Sequence, residues 1–84
     1  MDITSLRSKA HGLKPAVRLG KGGVSVSIVE EIDKQLTKRK LIKIRFLRSF
    51  TDLYDVRTVS KEIADKTKST IIQNLGSVLV LYRG

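Results

Sequence analysis

The spacing of apolar residues predicts a helix near the start of the chain. Steps of three and four residues place side chains on one face of an α-helix, and such steps join Ile3, Leu6, Ala10 and Leu13. Asp2 is suited to cap the first turn, and Gly12 is suited to end the helix. We therefore predict a first helix over residues 2–12.

Two later segments carry the same spacing and predict two more helices. Ser25 is placed to cap the second helix, whose apolar face we predict from Val26, Ile28, Val29, Ile32 and Leu36. A third series lies within residues 54–67, at Val56, Val59, Ile63 and Thr67. Residues 49–53 form a polar break before it, which we expect to be flexible. Lys68 follows the third helix, at a position where a helix exit favours glycine.

Short apolar and alternating segments predict four strands. The first covers residues 16–19. Residues 41–47 alternate, with Ile42, Ile44 and Phe46 on one face and Lys43 and Arg45 on the other. Residues 69–75 and 77–83 are separated by Gly76, which indicates a tight hairpin and hence an antiparallel pair.

The elements follow one another in the order α-β-α-β-α-β-β, which predicts the α/β class. The two β-α-β connections are expected to be right-handed crossovers, so the first three strands share one direction. The last strand runs against them, and the result is a mixed four-stranded sheet with helices packed on it. A chain of 84 residues allows one domain, over residues 1–84.

Composition excludes several classes of function. The chain has no cysteine and one histidine, so disulfides, thiolate metal sites and a zinc site are not expected. No apolar run reaches the roughly 20 residues of a membrane-spanning helix, and the first residues lack the features of a signal peptide. We expect a cytoplasmic protein that uses no cofactor and acts on no small-molecule substrate.

Net charge is the strongest global feature. Seventeen Lys and Arg against eight Asp and Glu give a formal charge of +9. On a domain of this size, such a charge predicts a polyanionic partner such as nucleic acid; a basic domain with a solvated surface is the alternative. No strongly amphipathic basic helix carries Trp or Phe, so a membrane partner is not expected. We expect the protein to be a monomer.

A glycine-rich segment between the first strand and the second helix is the main candidate site. Gly20-Lys21-Gly22-Gly23 lacks the spacing and the Lys-Ser/Thr end of a P-loop. Ser25 stands where the dinucleotide-binding fingerprint needs its last glycine. The segment does match G-x-x-G, the loop with which KH modules clamp a nucleic-acid backbone. A tight turn without a ligand is the alternative. If the loop holds phosphate, the amides that begin the helix at Ser25 would contribute.

Basic residues gather near this loop in the sequence. The candidates for phosphate contact are Arg7, Lys9, Lys14, Arg18 and Lys21. A basic first helix beside the loop would form one continuous positive surface; a solvated helix face is the alternative. Lys43 and Arg45 either extend this surface or simply alternate along a half-exposed strand. Residues 38–40 are interpreted as a helix C-terminus, where basic residues suit the helix dipole.

The remaining polar and aromatic residues predict no catalysis. His11 has no Ser or Cys partner at a readable spacing and is interpreted as a surface residue. No nucleophile, base and orienting group can be assembled, so an enzyme is not predicted. Phe46 is assigned to the core by its alternation. Phe50 and Tyr54 are candidates for stacking on a nucleic-acid base.

Five segments match a known family in order and at sensible separations: Leu13–Pro15, Val17–Ser25, Leu41–Ile44, Lys61–Ala64 and Leu79–Arg83. They resemble the CRM domain, the chloroplast RNA splicing and ribosome maturation domain, whose single-domain members are the YhbY-like proteins. The resemblance implies a fold similar to the C-terminal domain of translation initiation factor 3. It also implies that the loop Gly20–Gly23 contacts structured ribosomal or intron RNA. Lys68 departs from the glycine that commonly follows the family's third helix.

Three hypotheses of different classes follow. The first is a non-catalytic RNA-binding protein that contacts structured ribosomal RNA during large-subunit maturation, as the resemblance implies. The second is a protein-interaction module that docks on an acidic ribosome-assembly partner. The third is an enzyme that acts on RNA. Binding of naked RNA at moderate salt separates the first from the second, and loss of RNA cleavage or modification on mutation of His11 would support the third.

Overall fold

The computed structural model describes residues 2–84 and contains the predicted order of elements with one short helix added. In chain order, the elements are α1 (Ile3–His11), β1 (Val17–Leu19), α2 (Val26–Arg39), β2 (Leu41–Phe46), α3 (Arg48–Thr51), α4 (Val56–Thr67), β3 (Thr70–Leu75) and β4 (Val78–Tyr82). The α/β class is therefore confirmed.

The four strands form one mixed sheet in the order β1-β2-β4-β3. β1 pairs with β2 in parallel, while β4 is antiparallel to both β2 and β3. The first three strands consequently share one direction and β4 opposes them, as predicted. Because β4 lies between β2 and β3, the strands β1 and β3 occupy opposite edges of the sheet.

Helices cover both faces of the sheet. The alternating residues Ile42, Ile44 and Phe46 of β2 join α2 and α4 in the larger core, which also contains Leu36 and Ile63. α1 packs on the other face and contributes Leu6 and Ala10 to a smaller core. Its partners there are Ile72, Val80 and the half-buried Leu41, Val78 and Tyr82. Strand periodicity thus separates the two cores, since neighbouring residues of a strand face opposite sides.

The helix starts follow the predicted capping residues. Asp2 Oδ1 accepts a hydrogen bond from the Thr4 amide at 2.9 Å, and Gly12 ends α1. Ser25 Oγ accepts from the Ile28 amide at 3.2 Å. Each cap satisfies an amide that has no partner within its own helix.

Two helices end on lysines with positive φ. Lys68 has φ 52° and ψ 44°, so it adopts the left-handed exit that favours glycine. Lys40 ends α2 with φ 66° and ψ −37°. Its amide donates to Leu36 O at 2.8 Å, and its carbonyl accepts from the Arg83 amide at 2.9 Å. These two bonds hold Lys40 in a conformation that a residue with a Cβ rarely adopts.

β3 ends in a tight turn and carries a bulge near its amino end. Gly76 has φ 60° in the two-residue turn between the register partners Leu75 and Val78, which confirms the predicted hairpin. A β-bulge lies at Ile72, between the paired residues Ile71 and Gln73. The bulge turns Ile72 towards α1, where it is buried.

Two sequence-based expectations are wrong. Residues 49–53 are not a polar break, because α3 covers part of them and the Phe50 side chain is fully buried in the larger core. Val26 does not belong to the buried face of α2, since 76% of it is exposed. The buried stripe runs through Ile28, Ile32 and Leu36, and Val26 lies almost opposite Ile28 at about 100° per residue.

Candidate nucleic-acid interface

The glycine-rich segment forms a tight turn at the carboxyl end of β1. The Gly23 amide donates to Gly20 O at 3.0 Å, so the turn spans Gly20–Gly23. Of its three glycines, Gly23 alone adopts positive φ, at 70°. Lys21 is exposed, and a Cβ built on Gly22 would meet no atom within 4 Å. The outer side of the turn is therefore open to a ligand, whereas its inner side is constrained.

Contacts from the segment after β2 explain that constraint. A Cβ on Gly23 would lie 2.9 Å from Tyr54 Oη and 3.0 Å from Tyr54 Cζ. A Cβ on Gly20 would lie 3.2 Å from Ser49 Oγ and 3.6 Å from Leu47 Cδ1. Glycine is needed at Gly23 on two grounds, the positive φ and the tyrosine above it.

A row of aromatic rings connects this contact to the core. The ring centroids of Phe46 and Phe50 are 4.9 Å apart, and those of Phe50 and Tyr54 are 4.7 Å apart. These separations lie in the favourable range for aromatic pairs. Phe50, one of the two candidates for stacking on a base, is fully buried and therefore not accessible to one. Tyr54 is 40% exposed, and its stacking on a base stays a prediction.

The start of α2 lies directly beyond the turn. Ser25 Oγ already accepts a hydrogen bond from the Ile28 amide, so this serine is the N-cap of α2. The amides of Val26 and Ser27 belong to the first helical turn, which has no preceding carbonyls of its own helix to bond. The amides that begin a helix favour anions through their partial positive charge.

Two arginines stand opposite each other beside the turn. Arg18 of β1 is the register partner of Arg45 of β2, and both residues are exposed. Their neighbours Leu19 and Phe46 face the larger core, so the two arginines lie on the face that carries α1. Like charges placed directly opposite on a sheet repel, and a bound anion would relieve this repulsion.

Arg48 is a further cation at this end of the sheet that the sequence reasoning missed. It begins α3 one residue before Ser49, and its side chain is 93% exposed. Its Nε lies 4.0 Å from Asp52 Oδ2, a surface pair of little energetic weight. The parallel pairing of β1 and β2 could have revealed it, since the carboxyl ends of parallel strands meet at one edge. We call Arg18, Lys21, Arg45 and Arg48 the loop-side cluster.

The other predicted contacts lie elsewhere on the molecule. Arg7 Nε donates to Ile72 O at 3.1 Å, on the edge strand opposite β1. Lys14 precedes β1 and lies at the end of that strand away from the turn. Lys9 lies beside Lys40, near the amino end of β2. α1 packs against β2 and β3, and one continuous surface from a basic α1 to the loop stays a prediction.

Arg83 is a cation with a structural role. Its Nη1 donates to Asp33 Oδ1 at 2.6 Å and to Thr67 O at 2.7 Å. Its Nη2 donates to Asp33 O at 3.0 Å and to Thr37 Oγ1 at 2.8 Å. The guanidinium thereby joins the end of β4 to α2 and α4.

Neither a metal site nor a membrane-spanning helix is found in the part of the chain that the structure describes. Across residues 2–84, no group of three or more His, Asp or Glu side chains could hold a metal ion. His11 is exposed and lies beside Lys43, Gln73 and Leu75. Within the same described residues, no helix has the length and apolar character needed to cross a membrane.

Comparisons with known proteins give consistent results. The model of the CRS1/YhbY (CRM) domain family matches residues 2–83. A Bacillus subtilis protein named as a probable RNA-binding protein, YqeI, is 36% identical over 78 residues, which are 93% of this chain and 79% of that protein. A Haemophilus influenzae protein named RNA-binding protein is 33% identical over 78 residues, 93% of this chain and 77% of that one.

A solved structure shares the fold. The solution structure of the Staphylococcus aureus protein SAV1595, described as a candidate RNA-binding protein, superimposes with a TM-score of 0.80 at 34% identity. The match covers 98% of this chain and 83% of that one. The four-stranded sheet and its helices are therefore those of a known fold.

Proposed function

This chain belongs to the CRS1/YhbY (CRM) domain family, and from that membership we propose that it is an RNA-binding protein that acts without catalysis. Its relatives are named as RNA-binding proteins. A net charge of +9 suits a polyanionic partner. We further propose a cytoplasmic monomer whose target is structured ribosomal RNA during large-subunit maturation.

The observation that carries this proposal is the shape of the turn at Gly20–Gly23. Its outer side, with Gly22 and Lys21, is open, while Tyr54 fixes its inner side at Gly23. An open glycine turn lets an RNA backbone approach closely, and Lys21 supplies a point charge at the apex. The first amides of α2 and the loop-side cluster would then face neighbouring phosphates.

Such contacts favour recognition of RNA shape over base sequence. Contacts to phosphate fix the position of a protein on a nucleic acid but carry no sequence information directly. The aromatic residues near the turn form no exposed platform, since Phe46 and Phe50 are buried and Tyr54 is only 40% exposed. Specificity would therefore come from the geometry of a folded RNA.

Replacing Lys21 tests the proposal. Fluorescence anisotropy with a folded ribosomal RNA fragment gives the affinity at several salt concentrations. For Lys21→Ala we expect weaker binding to several unrelated sequences and a log–log salt slope that is smaller by roughly 0.7–0.9, the contribution of one phosphate. Lys61→Ala is the control, because Lys61 lies on the exposed side of α4. An unchanged affinity and slope for Lys21→Ala would refute the loop contact.

A second candidate function is docking on an acidic protein of ribosome assembly. Exposed apolar side chains in the segment that contacts the turn favour it: Leu53, one residue before Tyr54, is 61% exposed, and Leu47 lies next to Gly20. Under this alternative the purified protein binds no naked RNA at moderate salt, and Leu53→Ala weakens binding to the protein partner.

A further inference from the structure

A cavity lies away from the glycine turn, between α1 and the amino end of β2. It measures about 500 Å³, a size typical of small-ligand sites. It is lined by Leu6, Lys9, Leu13, Arg39, Lys40, Leu41 and Tyr82, and we call it the α1 groove. Leu41 begins β2 and is the register partner of Tyr82, which ends β4.

The chemistry of the α1 groove is cationic and aromatic. Lys9, Arg39 and Lys40 line it together, and no described residue of its lining is acidic. The leucines and the Tyr82 ring supply an apolar surface beside these charges. This combination suits a ligand that carries both a phosphate and a flat ring, because aromatic side chains stack on bases and cations bind phosphates.

The backbone of Lys40 gives an independent reason to assign a role to the α1 groove. Lys40 has φ 66° and ψ −37°, where glycine would avoid the strain of a Cβ. Two hydrogen bonds hold it there: its amide donates to Leu36 O, and its carbonyl accepts from the Arg83 amide. Strained residues cluster at functional sites, and this one places a lysine at the rim of the groove.

We propose that the α1 groove binds one nucleotide of single-stranded RNA, with its phosphate at Lys9, Arg39 and Lys40 and its base against Tyr82. This inference rests on the proposed function but concerns a different contact. The six residues of β2 are separated by five steps of about 3.3 Å, so the groove and the glycine turn lie at opposite ends of a strand roughly 17 Å long. An RNA bound at the turn would thus have a second attachment point.

Two glycine variants test the proposal as a matched pair. Lys40→Gly and Lys68→Gly each remove one positive charge. Each also relieves the strain of a side chain at positive φ at a helix end. Lys68 follows α4, whose core residues Ile63 and Ala64 lie on the other face of the sheet, and it does not line the groove. Both variants should melt at a higher temperature, so reduced binding by Lys40→Gly cannot come from unfolding.

The expected result is a selective loss for Lys40→Gly. Anisotropy with an RNA that joins a folded stem to a single-stranded tail should show about fivefold weaker binding at 0.1 M salt and a slope smaller by about 0.7, the contribution of one phosphate for a single strand. Lys68→Gly should bind like the unmodified protein. Equal behaviour of the two variants would overturn the proposal.

A second measurement separates this inference from the proposed function. In two-dimensional NMR of the labelled protein, a uridine trinucleotide should shift the signals of Lys40 and Tyr82. Tyr82→Leu should abolish the shift of the Lys40 signal, while Tyr82→Phe should keep it. If the protein binds no folded RNA, the proposed function fails, and the groove is judged by the trinucleotide alone. Absence of shifts at Tyr82 overturns the groove.

Discussion

The Tyr54 ring lies directly over Gly23, with its Oη 2.9 Å from the place a Cβ on that glycine would occupy. This contact joins two segments that are thirty-one residues apart in the chain. Because Tyr54 also packs on Phe50, which is buried, the position of the turn is set by the core. The proposed RNA contact is thus held ready rather than formed by the ligand.

Replacing Gly23 should disturb the turn, whereas replacing Gly22 should not. Gly23→Ala places a Cβ at φ 70° and against Tyr54, which we expect to cost about 1–3 kcal/mol of unfolding free energy. Gly22→Ala has open space and no positive φ, so its stability should stay within about 0.5 kcal/mol. Urea denaturation measures both. Equal midpoints for the two variants would show that Tyr54 does not constrain the turn.

Arg83→Ala should destabilise the fold without weakening the RNA contact of the folded protein. Four hydrogen bonds from its guanidinium to Asp33, Thr37 and Thr67 are lost, and we expect a loss of about 2 kcal/mol. Arg83→Lys should recover only part of this, because an ammonium cannot reproduce the planar fork. Calorimetry measures the stability, and anisotropy below the melting temperature measures the binding. Full recovery by lysine would contradict the role of the fork.

Ser60→Ala should raise stability. Ser60 is fully buried in α4, and its Oγ has no hydrogen-bond partner among the described residues. Removing this hydroxyl should stabilise the protein by about 1 kcal/mol, since an unpaired buried polar group is costly and alanine favours helix. Ser8→Ala on the exposed side of α1 is the control and should gain about 0.5 kcal/mol from helix propensity alone. A loss of stability in Ser60→Ala would show that the hydroxyl is satisfied in solution.

Asp55 should make α4 sensitive to acid. Hydrogen bonds from the Thr58 hydroxyl, and then from its amide, hold the pKa of Asp55 below its usual 3.8. The stabilisation is therefore complete above pH 3.8 and is lost as the pH falls through the lower pKa of the folded state. Asp55→Asn keeps a capping oxygen but cannot titrate. The urea midpoint of Asp55→Asn should be lower than that of the unmodified protein at pH 7, and the two midpoints should converge near pH 2. A constant difference at both pH values would contradict the assignment.

Regular elements could be predicted from the sequence because they repeat. The alternation along β2 correctly placed Ile42, Ile44 and Phe46 on the core side. The pattern places Lys68 at a helix exit that favours glycine, whereas the left-handed conformation of this lysine is shown by the structure alone. Phe50 was misplaced because a helix of four residues has no period to detect. Its burial depends on contacts with Phe46 and Tyr54 that a local pattern does not contain.

The candidate site could be predicted only where it is local. The turn at Gly20–Gly23 is readable from four consecutive residues, but Tyr54 above it comes from a distant segment. The distance of Arg7 from the turn follows from the insertion of β4 between β2 and β3, which no spacing of basic residues reveals. Arg83 appears in the sequence as one more basic residue, whereas its partners identify it as a structural one.

The central position of β4 also has a consequence for synthesis on the ribosome. β2 and β3 have no direct pairing and meet only through β4. A nascent chain in which residues 78–82 are still inside the exit tunnel cannot close the sheet, because β3 has no other strand to pair with. Folding must therefore be completed after translation of these residues, and the partly made protein exposes the edge of β2 until then.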